Sequence, residues 1–212
     1  MAAQQRFGPR ADRVSERFRR RAAVRSSENW RCVLLYAFGF EQIGVVVSDL
    51  YFVNPRPEVG QEGPEHGVRL EVRFLDRGEL RGSVYSAQPI AVGRPIWRAD
   101  LLESVAGEPG SLDRAHHHPR FAGWEPGPRR FVADLSARPL EWVGGRLRDL
   151  GGLLVDAGVA LDEVGHGDPA ALREAVPEIL AATQRLLDRV QAGELGRPDS
   201  DQHLVSARVG WL

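Results

Sequence analysis

No lysine occurs anywhere in this chain; all 28 basic residues are arginine. There is one cysteine, Cys32, in 212 residues. A lone cysteine excludes an internal disulfide and a cysteine-rich zinc module, and its expected place is a small buried position. No apolar run approaches the roughly 18 residues that a membrane span needs. The first stretch, MAAQQRFGPRADRVSERFRRR, is arginine-rich and has no apolar core of the kind a secretory signal carries. The setting these absences imply is a reducing cytoplasm, with no membrane partner. No phosphate-binding glycine loop, dinucleotide fingerprint, serine-nucleophile elbow or H-E-x-x-H motif is present. The Gly-Gly pairs at 144 and 151 lie inside a helical pattern. No cofactor is expected, and no residue is assigned as a metal ligand.

What is present begins with arginine. Exclusive use of arginine, with abundant Ala, Gly and Pro, points to a GC-rich bacterial coding sequence and lowers the diagnostic weight of any single arginine. The near-neutral total hides an asymmetry. Residues 1–31 carry nine arginines against Asp12, Glu16 and Glu28, whereas the rest carries 19 against 26 acids. A basic arm on an acidic body suits RNA, an anionic surface or an acidic protein partner. The arm, residues 1–28, is expected to hold a helix over Ala11–Arg25 with Val14, Phe18 and Ala22 as a narrow apolar stripe.

The body, residues 29–195, is expected to be one α+β domain, followed by a tail over 196–212. Trp30–Phe40 and Gly44–Pro55 read as strands from their aromatic and β-branched content. Residues 55–66 read as a surface loop. Val68, Leu70, Val72 and Phe74 alternate with Arg69, Glu71 and Arg73, a period of two that gives a strand one apolar and one charged face. A turn at Asp76–Glu79 is expected to return the chain through Leu80, Gly82, Val84 and Ser86, with a further strand over Pro95–Glu103. The period then changes. Ser136 and Pro139 suit the start of a helix bearing Leu140, Val143, Leu147, Leu150 and Leu154, and Gly144, Gly145, Gly151 and Gly152 require close packing or a break. Asp168-Pro169 opens a second helix, with Pro177 expected to kink or split it. Strands followed by helices imply an antiparallel sheet with C-terminal helices packed on one face. Trp211 and the apolar helix faces are compatible with a homodimer.

The functional candidates concentrate in Asp113–Arg130, read as a loop leaving the sheet. It holds His116, His117 and His118, with Arg114, Arg120, Trp124, Arg129 and Arg130. In an extended segment His116 and His118 share a face and His117 opposes them. Imidazoles near neutral pKa serve as general acid and base. Arginines stabilise a phosphate, and Trp124 offers a stacking surface for a base. Together these are the parts of a ribonuclease. The spacing H-x-H, with Asp113 or Glu125, also matches a two-histidine, one-carboxylate metal set. The third reading is a structural loop in a non-catalytic interaction, assembly or regulatory protein.

Arg98 and Asp100 on the preceding strand, followed by Asp113, Ala115, His116, His117, His118 and Pro119, resemble the aspartate–histidine–proline loop of the small TumE-type toxins of bacterial toxin–antitoxin pairs. The similarity spans residues 95–120. It implies an RNA-directed activity restrained by a protein partner.

Overall fold

The computed structural model describes residues 34–79, 82 and 88–197. The expected basic arm and its helix, Cys32, most of the return strand at 80–86 and Trp211 lie outside these residues.

Strands β1 (Leu35–Gly39), β2 (Ile43–Val53), β3 (Pro64–Arg77), β4 (Ile90–Ser104) and β5 (His116–His118) form one antiparallel sheet in the order β1-β2-β3-β4-β5. Strands β6 (Phe121–Ala122) and β7 (Glu125–Pro126) form a small separate hairpin. Helices α1 (Ala133–Ala137), α2 (Pro139–Arg148), α3 (Leu150–Ala157) and α4 (Asp168–Gln191) follow. The α+β architecture is as the residue pattern implies. Val45, Val47, Val68, Leu70, Val72, Trp97, Ala99 and Leu101 line one sheet face, and they join Val143, Leu147, Leu153, Leu172, Val176 and Ile179 of the helices in a single buried core.

The second edge of β3 pairs with Ile90–Ser104, with Arg77 opposite Ile90 and Glu65 opposite Ser104. Two expectations are corrected. The two prolines at 89 and 95 suggest separate pieces, yet β4 runs through Pro95. The register shifts there, opposite Val72–Leu75, so the missing N–H of proline falls where the ladder is already interrupted. The histidine run does not leave the sheet: it is β5, paired to β4 with Asp100 opposite His116 and Arg98 opposite His118.

The glycine-rich helix shows both close packing and a break. A Cβ on Gly144 would lie 2.9 Å from the Leu180 side chain of α4. The helix interrupts at Asp149, whose side chain accepts from the Gly152 N–H and caps α3. Ser136 lies within α1, and Arg138 precedes α2. Helix α4 spans Asp168–Gln191 without splitting at Pro177.

Asp168 is fully buried and links sheet to helix. Its carboxylate accepts from the N–H groups of Glu41 at 2.7 Å, Gln42 at 3.2 Å and Gly165 at 2.7 Å. The β1–β2 turn is thereby held at the start of α4, where negative charge is favoured by the helix dipole. Asp168→Ala leaves three backbone N–H groups without their acceptor, that of Gly165 buried, and about 3 kcal/mol of stability is expected to be lost. Urea denaturation measures this; Asp168→Asn, which keeps one acceptor oxygen, is expected to recover part of it.

Candidate functional site

Alternation along the strands places two rows of side chains on the sheet face away from the helices. Antiparallel register aligns Ser48, Arg69, Asp100 and His116 across four strands, and Val46, Glu71, Arg98 and His118 in the next row. A charged strand face ordinarily meets water. Here Asp100, Glu71, His116 and His118 are buried. The segment after β5 folds back over them: Phe121 lies 5.1 Å below the Arg98 guanidinium, Trp124 lies 5.0 Å from that of Arg73, and Arg129 pairs with buried Glu65 at 2.9 Å.

Within the rows every charge has a partner. Arg69 donates to both oxygens of Asp100, Nε to Oδ1 at 2.7 Å and an amino group to Oδ2 at 3.2 Å. Glu71 accepts from Arg98 at 2.7 Å and Arg73 at 2.6 Å. Burial pushes the Asp100 carboxyl up, but the Arg69 charge, its hydrogen bonds and the two imidazoles outweigh this and hold it well below the usual carboxylate range. The histidines complete the cluster. The Nδ1 of His116 lies 2.7 Å from the Arg114 carbonyl oxygen, and that of His118 lies 2.6 Å from the Gly127 carbonyl oxygen. A carbonyl only accepts, so both Nδ1 atoms carry the proton. Their Nε2 atoms face Asp100 Oδ2 at 3.4 and 3.6 Å.

His117 points the other way, into the helix side. Its ring lies 6.2 Å from Trp97 and 5.0 Å from Trp142, centroid to centroid. It borders a groove of about 580 Å³ that Arg120, Arg130, Phe131 and Asp156 also line. Arg130 reaches the groove because its backbone pairs with His117 in an isolated bridge. Arg120 donates to the Asp156 carbonyl oxygen at 2.6 Å, and Asp156 accepts from Arg146 at 2.6 Å. Burial, then the charge of Arg146, lowers the His117 pKa to about 4. The imidazole is therefore neutral at pH 7, facing Arg146 and Asp156 of the helices and the aromatic rings below. Its NMR titration is expected near pH 4 rather than 6.5. The unfolded chain binds the proton first, so the contribution of this group to stability is complete above about pH 6.5 and is lost as pH falls toward 4.

The structure thus divides the residues singled out in the sequence. His117, Arg120 and Arg130 come together at the groove. His116 and His118 lie on the opposite face. Arg114 donates to the Gly60 carbonyl oxygen and contacts Asp113, and Arg129 is committed to Glu65 and Gln61. Trp124 borders a second groove with Arg94, Phe74 and Glu163, away from His117. Asp113 and Glu125 are not the carboxylates beside His116 and His118: Asp113 accepts from the Ser104 N–H at 2.8 Å, and Glu125 is exposed. The carboxylate there is Asp100. The sequence signal for it was the shared parity of Arg69, Glu71, Arg98 and Asp100, which only the strand register brings opposite His116 and His118.

Comparison with protein-family models, with curated proteins and with solved structures finds no match. Among the described residues no helix is long and apolar enough to cross a membrane.

Proposed function

We propose that the protein is an RNA-acting, ribonuclease-like protein whose substrate lies in the groove beside His117. The observation that carries this is the meeting of an imidazole and two arginines in one surface groove: His117, Arg120 and Arg130. Arg120 and Arg130 hold the phosphate. His117 accepts the 2′-hydroxyl proton as the 2′-oxygen bonds to phosphorus. The bond to the 5′-oxygen breaks, and that oxygen takes a proton from water. His116 and His118 hold the strand in place from the other side. The protein partner implied by the toxin resemblance would act by covering this groove.

The test is RNA cleavage by the purified full chain, with and without EDTA, beside His117→Asn and Arg130→Ala. His117→Asn is expected to lower cleavage about 10²–10⁴-fold, the usual worth of a general base, with little change in melting temperature. Cyclic phosphate ends identify the chemistry. Absence of cleavage by folded protein overturns the reading. It would leave the non-catalytic interaction protein, which is favoured by the internal ion pairs of Arg114 and Arg129 and the burial of His116 and His118.

A further inference from the structure

Asp100, His116 and His118 each offer one donor atom, all within 4.8 Å of one another, and all three residues are buried. With both Nδ1 atoms donating to carbonyl oxygens, the Nε2 atoms face the Asp100 carboxylate. Arg69 gives the Asp100 Oδ2 one positive partner at 3.2 Å, but the two Nε2 atoms beside it need a proton or a metal ion of their own. A proton on each imidazole is one answer, but the Nε2 to Oδ2 separations of 3.4 and 3.6 Å exceed the usual N–H···O range. Those separations match a different geometry. Two donors bound to zinc at about 2.0–2.2 Å and set at the tetrahedral angle lie about 3.3–3.6 Å apart.

The surroundings fit as well. Each candidate ligand is oriented by an outer partner: His116 by the Arg114 carbonyl, His118 by the Gly127 carbonyl, and Asp100 by Arg69, Nε on Oδ1 at 2.7 Å and an amino group on Oδ2 at 3.2 Å, with Oδ2 the oxygen that faces both Nε2 atoms. Such outer partners fix the tautomer and the ring orientation that a metal needs. Two protons and one divalent ion add the same charge to the cluster, but only the ion bonds to all three donors.

We infer that Asp100 Oδ2, His116 Nε2 and His118 Nε2 form a tetrahedral site for a divalent zinc-class ion, with a fourth position left for water or an anion. The site is on the opposite face of β5 from the His117 groove and does not rest on the ribonuclease reading.

The experiment is calorimetric titration of the chelator-treated full chain with Zn²⁺, and absorption spectroscopy with Co²⁺ as a probe. One ion per chain is expected, with the intense visible bands of tetrahedral Co²⁺. His118→Gln is expected to weaken binding about 100-fold or more, beyond the loss usual for an outer partner, while His166→Gln, at an exposed position, leaves it unchanged. X-ray absorption at the zinc edge of the unaltered protein is expected to show two imidazole ligands, a readout that survives if His118→Gln fails to fold. Folded protein without saturable Zn²⁺ binding overturns the inference. So does undiminished binding by folded His118→Gln, or a zinc edge without two imidazoles. None of these readouts involves RNA, so failure here leaves the groove reading standing, and the reverse holds.

Discussion

Asp100→Ala, measured by denaturant unfolding in the presence of a chelator, is expected to lose about 3–5 kcal/mol, the cost of breaking a buried ion pair from one side. The carboxylate is almost fully buried and takes both hydrogen bonds that Arg69 offers it. Its removal leaves Arg69 beside Arg98, two guanidinium groups with only Glu71 between the two rows to balance them, and Glu71 already serves Arg98 and Arg73. The arithmetic differs when both partners go. A joint Arg69→Met, Asp100→Leu replacement removes the unpaired charge along with the pair, and such exchanges are often neutral or stabilising. The double variant is therefore expected to be more stable than Asp100→Ala alone. If Asp100→Ala costs less than 1 kcal/mol, the outer face of the sheet is open to water and the burial argument for the polar rows fails. The chelator matters, because an ion bound at Asp100 would add its own binding energy to the folded state.

This prediction depends on a residue that strand periodicity alone reads as solvated. The alternation of Val68, Leu70 and Val72 with Arg69, Glu71 and Arg73 correctly places the apolar side chains in the core. It also says that the charged ones face water, since a period of two carries no knowledge of what lies above the second face. The cover comes from 119–131, more than 40 residues away in sequence for β3, through contacts such as Arg129 with Glu65. The opposition of His117 to His116 and His118 was legible, because it needs only an extended backbone. That these three residues form a strand was not. A three-residue strand between a turn at Asp113–Arg114 and Pro119 has too few positions to show a period, and its pairing with β4 is a tertiary fact. The same holds for Asp100: identity and parity are in the sequence, but the register that sets it opposite His116 is not. Pro95 misled for a related reason. Proline argues against a central strand only where the ladder is regular, and a register shift removes that objection locally. Asp168 was legible as a helix start, and its second task, holding Glu41 and Gln42, was hidden by 126 residues of separation.

Trp97 carries the second large expectation. It is the bulkiest of the fully buried side chains, set on β4 at the centre of the helix-facing sheet surface, with Trp142 stacked 6.1 Å away and His117 beside it. Trp97→Ala opens a void in a core that the surrounding sheet and helices can only partly close, and about 3–5 kcal/mol of stability is expected to go. A second variant separates volume from polarity. The indole Nε1–H of Trp97 is buried with no hydrogen-bond partner among the described residues. A donor in that state already costs the fold about 1–3 kcal/mol of lost solvation. Trp97→Phe keeps most of the ring, discards that donor and leaves a smaller gap, so the two effects oppose each other. Its net cost is expected to stay within about 1.5 kcal/mol, the range of tolerated apolar exchanges. Unfolding midpoints of the two variants, measured side by side, decide the matter. Equal large losses would mean that the indole N–H has a partner after all and that its bond, rather than ring volume, stabilises the site. A small loss for phenylalanine with a large one for alanine would identify packing as the contribution. It would also make Trp97→Phe a means of changing the floor beneath His117 without unfolding the sheet, so that any change in RNA cleavage by that variant reports on the position of the imidazole.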